Sequence, residues 1–128
     1  MSVEEIEILR DRAEKFLRNG EYLLHSGVFD LAAFNIQQFV ELYLKYKLFL
    51  LAGDYPKTHS IKKLLKEIGK ITGKLEKIRA FMEENIDGIS NLENAYITSR
   101  YIPSEFERKE VENMLDLAKR IRELVDGL

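Results

Sequence analysis

The chain has no cysteine and no tryptophan, and only two prolines and seven glycines occur in its 128 residues. The lack of cysteine excludes disulfide bonds, a cysteine nucleophile and any thiolate metal site. Because so few residues break helices, long helices are favoured. No apolar run is long enough to span a membrane. The acidic N-terminal segment lacks the apolar core of a secretory signal, so we expect a cytoplasmic protein.

Length and composition predict one globular domain over residues 1–128. A chain of 15.0 kDa buries roughly two thirds of its unfolded surface in a single core. Its 45% hydrophobic and 33% charged residues are typical of a soluble folded chain rather than a disordered one.

Charge is unevenly distributed along the chain, although the net charge is only −2. Residues 57–79 include eight basic and two acidic side chains, a net charge of +6, whereas residues 83–116 carry −6. The basic segment can attract phosphate or an acidic partner. The alternative is a solvated lysine-rich face that pairs with the acidic segment.

Apolar residues recur mostly at three- and four-residue steps, which predicts an all-α, up-and-down antiparallel bundle of four to five helices. The predicted helices cover about residues 4–25, 29–52, 60–72 and 74–100, the last with an interruption at 85–88, and a final helix from 104 onward. Capping-box spacing predicts helix starts at Ser2–Glu5, Ser90–Glu93 and Ser104–Glu107.

The second predicted helix is apolar around most of its circumference. Such a helix is either central in the bundle or faces a second subunit. Its polar residues Gln38, Glu41 and Lys45 lie on one stripe, because they are three and seven residues apart. We expect this stripe to line a cleft or an interface; the alternative is a simple ion pair between Glu41 and Lys45.

Two further segments carry candidate binding residues. Lys57 and His59 precede the third helix, whose free N–H groups and dipole suit an anion; alternatively, Ser60 only caps its own helix. Tyr96, Arg100 and Tyr101 are close together in the sequence. Arginine can donate paired hydrogen bonds to a phosphate, and a tyrosine ring can stack on a base. The alternative is that Arg100 pairs with Glu41 inside the bundle.

Sequence patterns of the common enzyme classes are missing. His25 and His59 do not form a metal-ligand pair, and no Glu-x-x-His, glycine-rich phosphate loop or nucleophile elbow occurs. We therefore predict no metal site, no cofactor and no catalytic residue, and we favour a binding protein over an enzyme.

Three segments together resemble the HEPN family (higher eukaryotes and prokaryotes nucleotide-binding). Residues 30–45, DLAAFNIQQFVELYLK, are similar to the second-helix pattern D-x-A-x-F-x-x-Q-Q-A-x-E-x-x-L-K. Residues 57–61, KTHSI, resemble the Thr-His-Ser-Leu turn of the family, and residues 96–103, YITSRYIP, resemble its Tyr-x-x-Ala-Arg-Tyr-Pro segment. They occur in family order, and the resemblance covers nearly the whole chain.

The resemblance implies a helical bundle that is often a homodimer and that binds nucleotide or RNA. Many relatives act beside a small nucleotidyltransferase in toxin–antitoxin pairs, which suggests such a partner here. The implied binding residues are Gln38, Glu41, Lys45, His59, Tyr96, Arg100 and Tyr101.

Several HEPN subfamilies are metal-independent ribonucleases that carry Arg-x4–6-His on a late helix. The only matching spacing here is Arg18 to His25 on the first helix, so we do not carry nuclease activity over to this chain. The favoured hypothesis is a non-catalytic nucleotide- or RNA-binding module. The alternatives are a metal-independent ribonuclease and a dimeric protein-interaction scaffold.

Overall fold

Six α-helices occur in the part of the chain that the structure describes. The computed structural model describes residues 2–101 and 106–128, with only the backbone described for residues 98–101. The helices are α1 (Val3–His25), α2 (Phe29–Ala52), α3 (Ile61–Thr72), α4 (Leu75–Glu84), α5 (Ile86–Tyr101) and α6 (Arg108–Asp126). The predicted all-α class is confirmed, with one helix more than the predicted maximum.

The extra helix arises because the predicted long fourth helix is divided at Asn85. The backbone of Asn85 leaves the helical region, with φ −122° and ψ 27°. Its side-chain amide donates to the carbonyl of Phe81 at 2.9 Å, and its Oδ1 accepts from Arg120 on α6 at 2.9 Å. Asn85 therefore separates α4 from α5, and its side chain is hydrogen-bonded both to α4 and to α6.

Helix starts follow the predicted caps in two places and depart from them in a third. Ser2 accepts from the N–H of Glu5 at 3.3 Å, and Ser60 accepts from the N–H of Lys63 at 3.2 Å. The predicted start at Ser90 is wrong, because Ser90 lies inside α5.

The start of the last helix differs from the predicted one. The Ser104 half of the predicted capping box lies outside the described residues. The box that forms joins Glu107 and Glu110, one turn later, and α6 begins at Arg108.

Helix α1 passes through Gly20 without ending, and this glycine sets how closely α1 and α2 approach. A Cβ atom added at Gly20 would lie 3.0 Å from Cγ1 of Ile36 on α2. The loop between the two helices is only three residues long, which favours antiparallel neighbours. The close approach therefore depends on the absence of a side chain at position 20.

Helix α2 is the central helix of the fold. It packs against α1, α3, α5 and α6, and residues on several of its faces, including Ile36, Phe39, Leu44 and Leu48, are at most 1% exposed. Packing within one chain thus accounts for most of its apolar circumference. Leu31, Leu50 and Leu51 are its exposed large apolar side chains among the described residues. None of the described helices is long and apolar enough to cross a membrane.

Tyr43 joins the core of α2 to the C-terminal end of α6. Its hydroxyl donates to Oδ1 of Asp126 at 2.6 Å, and the same oxygen pairs with Nζ of Lys47 at 2.8 Å. Burial raises the pKa of the Tyr43 phenol well above its ordinary value, and the hydrogen bond and negative charge of Asp126 raise it further.

We expect Tyr43→Phe to lower the free energy of unfolding by about 1 kcal/mol at neutral pH, because one hydrogen bond is lost. The folded chain holds the Tyr43 proton more tightly than the unfolded chain. This contribution is therefore complete below about pH 10 and is lost as the pH rises toward the folded pKa. Urea denaturation at several pH values should show a shallower alkaline loss for Tyr43→Phe than for the wild type. The control is Tyr22→Phe, at a side chain 67% exposed; alkaline slopes that do not differ would contradict the prediction.

Candidate functional site

A buried carboxylate on α2 is the centre of a polar cluster. Glu41 is 3% exposed, and its two oxygens accept from Nε2 of Gln37 and Nζ of Lys45, each at 3.0 Å. Four-residue steps place these three side chains on one face of the helix. Because a buried charge is stable only when it is paired and hydrogen-bonded, Lys45 and Gln37 make the buried position of Glu41 possible.

His59 reaches the same carboxylate from the turn before α3. Its Nδ1 lies 3.1 Å from both oxygens of Glu41, so the Nδ1–H donates to the carboxylate and Nε2 remains an acceptor. The side chain of His59 is 57% exposed although its partner is buried. Glu41 therefore fixes the orientation of an imidazole whose other edge is open toward the surface.

Helix α5 contributes Tyr96 to the site, next to α2 and the turn before α3. Its ring stacks on that of His59, with centroids 4.2 Å apart and planes inclined by 21°. Its hydroxyl lies 3.1 Å from Nε2 of His59. The term "polar cluster" is used below for Gln37, Gln38, Glu41, Lys45, His59 and Tyr96.

The structure brings together five of the eight predicted site residues in this cluster: Gln38, Glu41, Lys45, His59 and Tyr96. Gln38 takes part indirectly, because its amide donates to Oε1 of Gln37 at 2.7 Å. The ion pair between Glu41 and Lys45, which was the alternative for this stripe, is present at 3.0 Å.

Sequence reasoning missed two members of this region. Gln37 is fully buried, and its spacing of four residues from Glu41 is the signal that could have identified it. Tyr55 follows the break after α2, and its ring centroid lies 5.4 Å from Nζ of Lys45. Its ring also contacts Phe49 edge-on, with centroids 5.2 Å apart. Tyr55 thus covers the side of the Glu41–Lys45 pair that faces the end of α2.

The start of α3, expected to attract an anion, already holds a carboxylate of the chain itself. Oε1 of Glu93 on α5 accepts from the N–H of Lys62 at 2.9 Å and from the hydroxyl of Ser60 at 3.1 Å. Glu93 is therefore a capping partner for another helix, not for its own. Lys57 lies exposed in the preceding turn, where its charge is available to a ligand next to His59.

The other predicted residues fall outside this geometry. Arg100 and Tyr101 continue α5 beyond Tyr96, but their side chains lie outside the described residues, so both alternatives for Arg100 stay open. Arg18 and His25 are exposed on α1, whereas the polar cluster is built from α2, α5 and the turn before α3. In the part of the chain that the structure describes, no three His, Cys, Asp or Glu side chains form a group that could hold a metal ion.

Comparison with known proteins identifies the family of this chain. The HEPN domain family matches residues 6–128, and the chain belongs to the HEPN family. The crystal structure of ST0689, an archaeal HEPN homologue, superposes with a TM-score of 0.64 at 25% sequence identity, covering 95% of each chain. No curated protein matches the sequence.

Proposed function

We propose that this HEPN chain is a non-catalytic module that binds a nucleotide or RNA at the polar cluster. The observation that carries the proposal is the stacked pair of exposed His59 and partly buried Tyr96, with His59 hydrogen-bonded to buried Glu41. An oriented aromatic surface of this kind offers a face on which a base can stack. Lys57, Arg100 and Tyr101 are the residues of the proposed site that would hold phosphate or a second base.

The partners in this proposal come from the resemblance to other HEPN proteins. We propose that the module works as a homodimer together with a nucleotidyltransferase-type protein, in a toxin–antitoxin-like system. The exposed Leu50 and Leu51 at the end of α2 are available for a protein contact. Apart from Leu31 near its start, helix α2 otherwise buries its large apolar side chains inside its own chain, so we place a contact through α2 at this end, where two exposed leucines adjoin.

One observation favours metal-independent ribonuclease activity as the second candidate function. A histidine whose Nδ1 donates to a buried carboxylate is oriented as a general base. In such a reaction Nε2 would take the proton of the ribose 2′-hydroxyl. The 2′-oxygen would then attack phosphorus, and the bond from phosphorus to the 5′-oxygen would break with the electron pair on that oxygen. The 5′-oxygen would take a proton from water, which leaves a 2′,3′-cyclic phosphate and a 5′-hydroxyl. We favour binding because Nε2 already faces the hydroxyl of Tyr96.

The proposed function predicts that Tyr96→Ala weakens binding of fluorescent ATP and of a labelled single-stranded RNA octamer. The expected loss is roughly 5- to 150-fold, because base–aromatic stacking contributes about 1–3 kcal/mol. Fluorescence anisotropy measures the affinity, and circular dichroism checks that the variant is folded. Tyr96→Phe should retain most of the affinity. Arg100→Ala is measured in parallel because the resemblance assigns Arg100 to the site.

The matched control is Tyr22→Ala, which removes an exposed tyrosine of α1 and should leave binding unchanged. Equal affinity of wild type and Tyr96→Ala would place the site elsewhere. RNA from the same samples is also run on a denaturing gel in EDTA. Cleavage that is lost in His59→Gln and retained in His25→Gln would replace the binding proposal with the ribonuclease. No binding of either probe would favour the interaction scaffold.

A further inference from the structure

A groove with basic edges lies between α3, α4 and α5, outside the polar cluster. Its volume is about 280 Å³. Apolar side chains from α4 and α5 line its floor: Met82, Ile86 and Ile89. Cations from α3 and α4 stand along its edges: Lys62, Lys66 and Arg79. We call this the basic groove; Glu83 is the one carboxylate among its lining residues.

The basic groove and the polar cluster lie along the same pair of helices, α3 and α5. Near the cluster, Ser60 contacts Glu93 at 3.1 Å. Further along, Nζ of Lys62 donates to the hydroxyl of Ser90 at 3.2 Å. Residue numbers rise along α3 as they fall along α5, so the two helices are antiparallel. Both features therefore lie on one α3–α5 surface, with the stacked rings at one end.

The electrostatics of this surface favour a chain of phosphates. Lys62, Lys66 and Lys70 are four residues apart and share one face of α3. Glu93, the carboxylate between cluster and groove, is already held by the N-terminus of α3. Arg79 pairs with Glu76 only at 3.6 Å, and both side chains are more than half exposed. An exposed ion pair of this kind contributes little to the free energy of folding. Arg79 can therefore leave Glu76 and bind a phosphate at little cost in free energy.

We infer that the ligand of this protein is a single-stranded oligonucleotide whose backbone runs from the polar cluster into the basic groove. This inference rests on the proposed function and adds a second subsite to it. Tyr96 and Ile89 are seven residues apart on α5, which is about 10 Å along the helix axis. Stacked nucleotides rise about 3.4 Å each, so a strand with one base on Tyr96 reaches the groove within about three nucleotides.

Each part of the groove then has a role. Lys62, Lys66 and Arg79 neutralise successive phosphates, which gives affinity without reading sequence. The accessible apolar side chains, Met82 and Ile86, contact a base or ribose that leaves the stack, and Ile89 is fully buried beneath them. An acidic amphipathic protein segment would match the groove alone. The oligonucleotide also accounts for the placement of the groove and the His59–Tyr96 stack on one α3–α5 surface.

The test compares the double variant Lys66→Ala/Arg79→Ala with the control Lys15→Ala/Lys109→Ala. The control removes two exposed cations from α1 and α6 and changes the net charge equally. The probes are a labelled uridine octamer and fluorescent ATP, titrated at several salt concentrations. We expect the groove variant to bind the octamer about tenfold more weakly, and its salt slope to fall by about 1.4, since each contact on a single strand contributes about 0.7. ATP affinity should not change in either variant.

Unchanged octamer affinity in the groove variant, with octamer binding still lost in Tyr96→Ala, overturns the groove and leaves the proposed function standing. Equal losses in the groove variant and the control also overturn it, because the effect is then one of net charge alone. An amphipathic leucine–glutamate peptide that displaces the octamer at lower concentration than unlabelled octamer does would assign the groove to an acidic protein partner instead. If Tyr96→Ala alters neither probe, the proposed function itself fails.

Discussion

Replacing Glu41 with alanine is expected to lower the free energy of unfolding by about 3–5 kcal/mol. The substitution leaves the ammonium of Lys45, whose side chain is only 11% exposed, without its carboxylate partner. It also removes the acceptor of the Gln37 amide, which is fully buried. An unpaired buried charge costs more than the pair contributes, because desolvation is no longer offset. Urea denaturation followed by circular dichroism measures the loss.

Two comparisons separate this effect from a general loss of charge. Glu76→Ala removes a carboxylate whose side chain is 89% exposed and pairs with Arg79 at 3.6 Å, so it should cost less than about 1 kcal/mol. The double variant Glu41→Leu/Lys45→Met replaces both charges with apolar groups and should recover much of the stability lost in Glu41→Ala. A loss in Glu41→Ala no larger than that in Glu76→Ala would contradict the description of a buried, paired carboxylate.

Truncating Phe39 to alanine should cost about 3–5 kcal/mol, the usual range for a buried aromatic ring. Phe39 is 1% exposed in the middle of α2. Its ring lies 5.6 Å from that of Tyr43, and the guanidinium of Arg122 on α6 stands 5.2 Å above it. The helices around α2 cannot close the cavity without breaking their other contacts with α2, since α2 is packed by four neighbours. Denaturant unfolding of wild type and variant gives the difference.

Leu31→Ala is the matched control on the same helix, because Leu31 is 46% exposed and lies away from the proposed contact at Leu50 and Leu51. It should change the free energy of unfolding by less than about 0.5 kcal/mol. Similar losses in Phe39→Ala and Leu31→Ala would contradict the placement of α2 as the central helix of one chain. They would indicate instead that its outer face is buried against a second subunit.

Much of the helical framework was predictable because its determinants are local. Helix α2 begins at Phe29 and ends at Ala52, as predicted. Its end follows from Gly53, which takes the left-handed conformation, with φ 76°, that glycine accepts without strain. Ser60 caps α3 through a residue three positions away. In each case the residues that decide the boundary lie within one helical turn, so the spacing alone identifies them.

Prediction failed where a local pattern had a distant partner. Ser90 and Glu93 have the spacing of a capping box, yet Glu93 caps α3 across a separation of 31 residues. The break at Asn85, by contrast, falls within the predicted interruption at residues 85–88, but its hydrogen bond with Arg120 of α6, 35 residues away, could not be predicted from the local pattern. No local pattern distinguishes a carboxylate that caps its own helix from one that reaches another helix, because both are polar residues near a helix end.

The candidate site was likewise predictable from the sequence only in part. The types of its residues and their positions on α2 follow from the sequence, because helical periodicity alone places Glu41 and Lys45 on one face. That His59 meets Glu41 and stacks on Tyr96 depends on contacts across 18 and 37 residues. These contacts form only when α3 and α5 pack on α2. Local periodicity therefore determined the helices and the faces that carry the polar residues. Tertiary packing alone decided which of these residues meet, because burial of the apolar faces sets the register between helices.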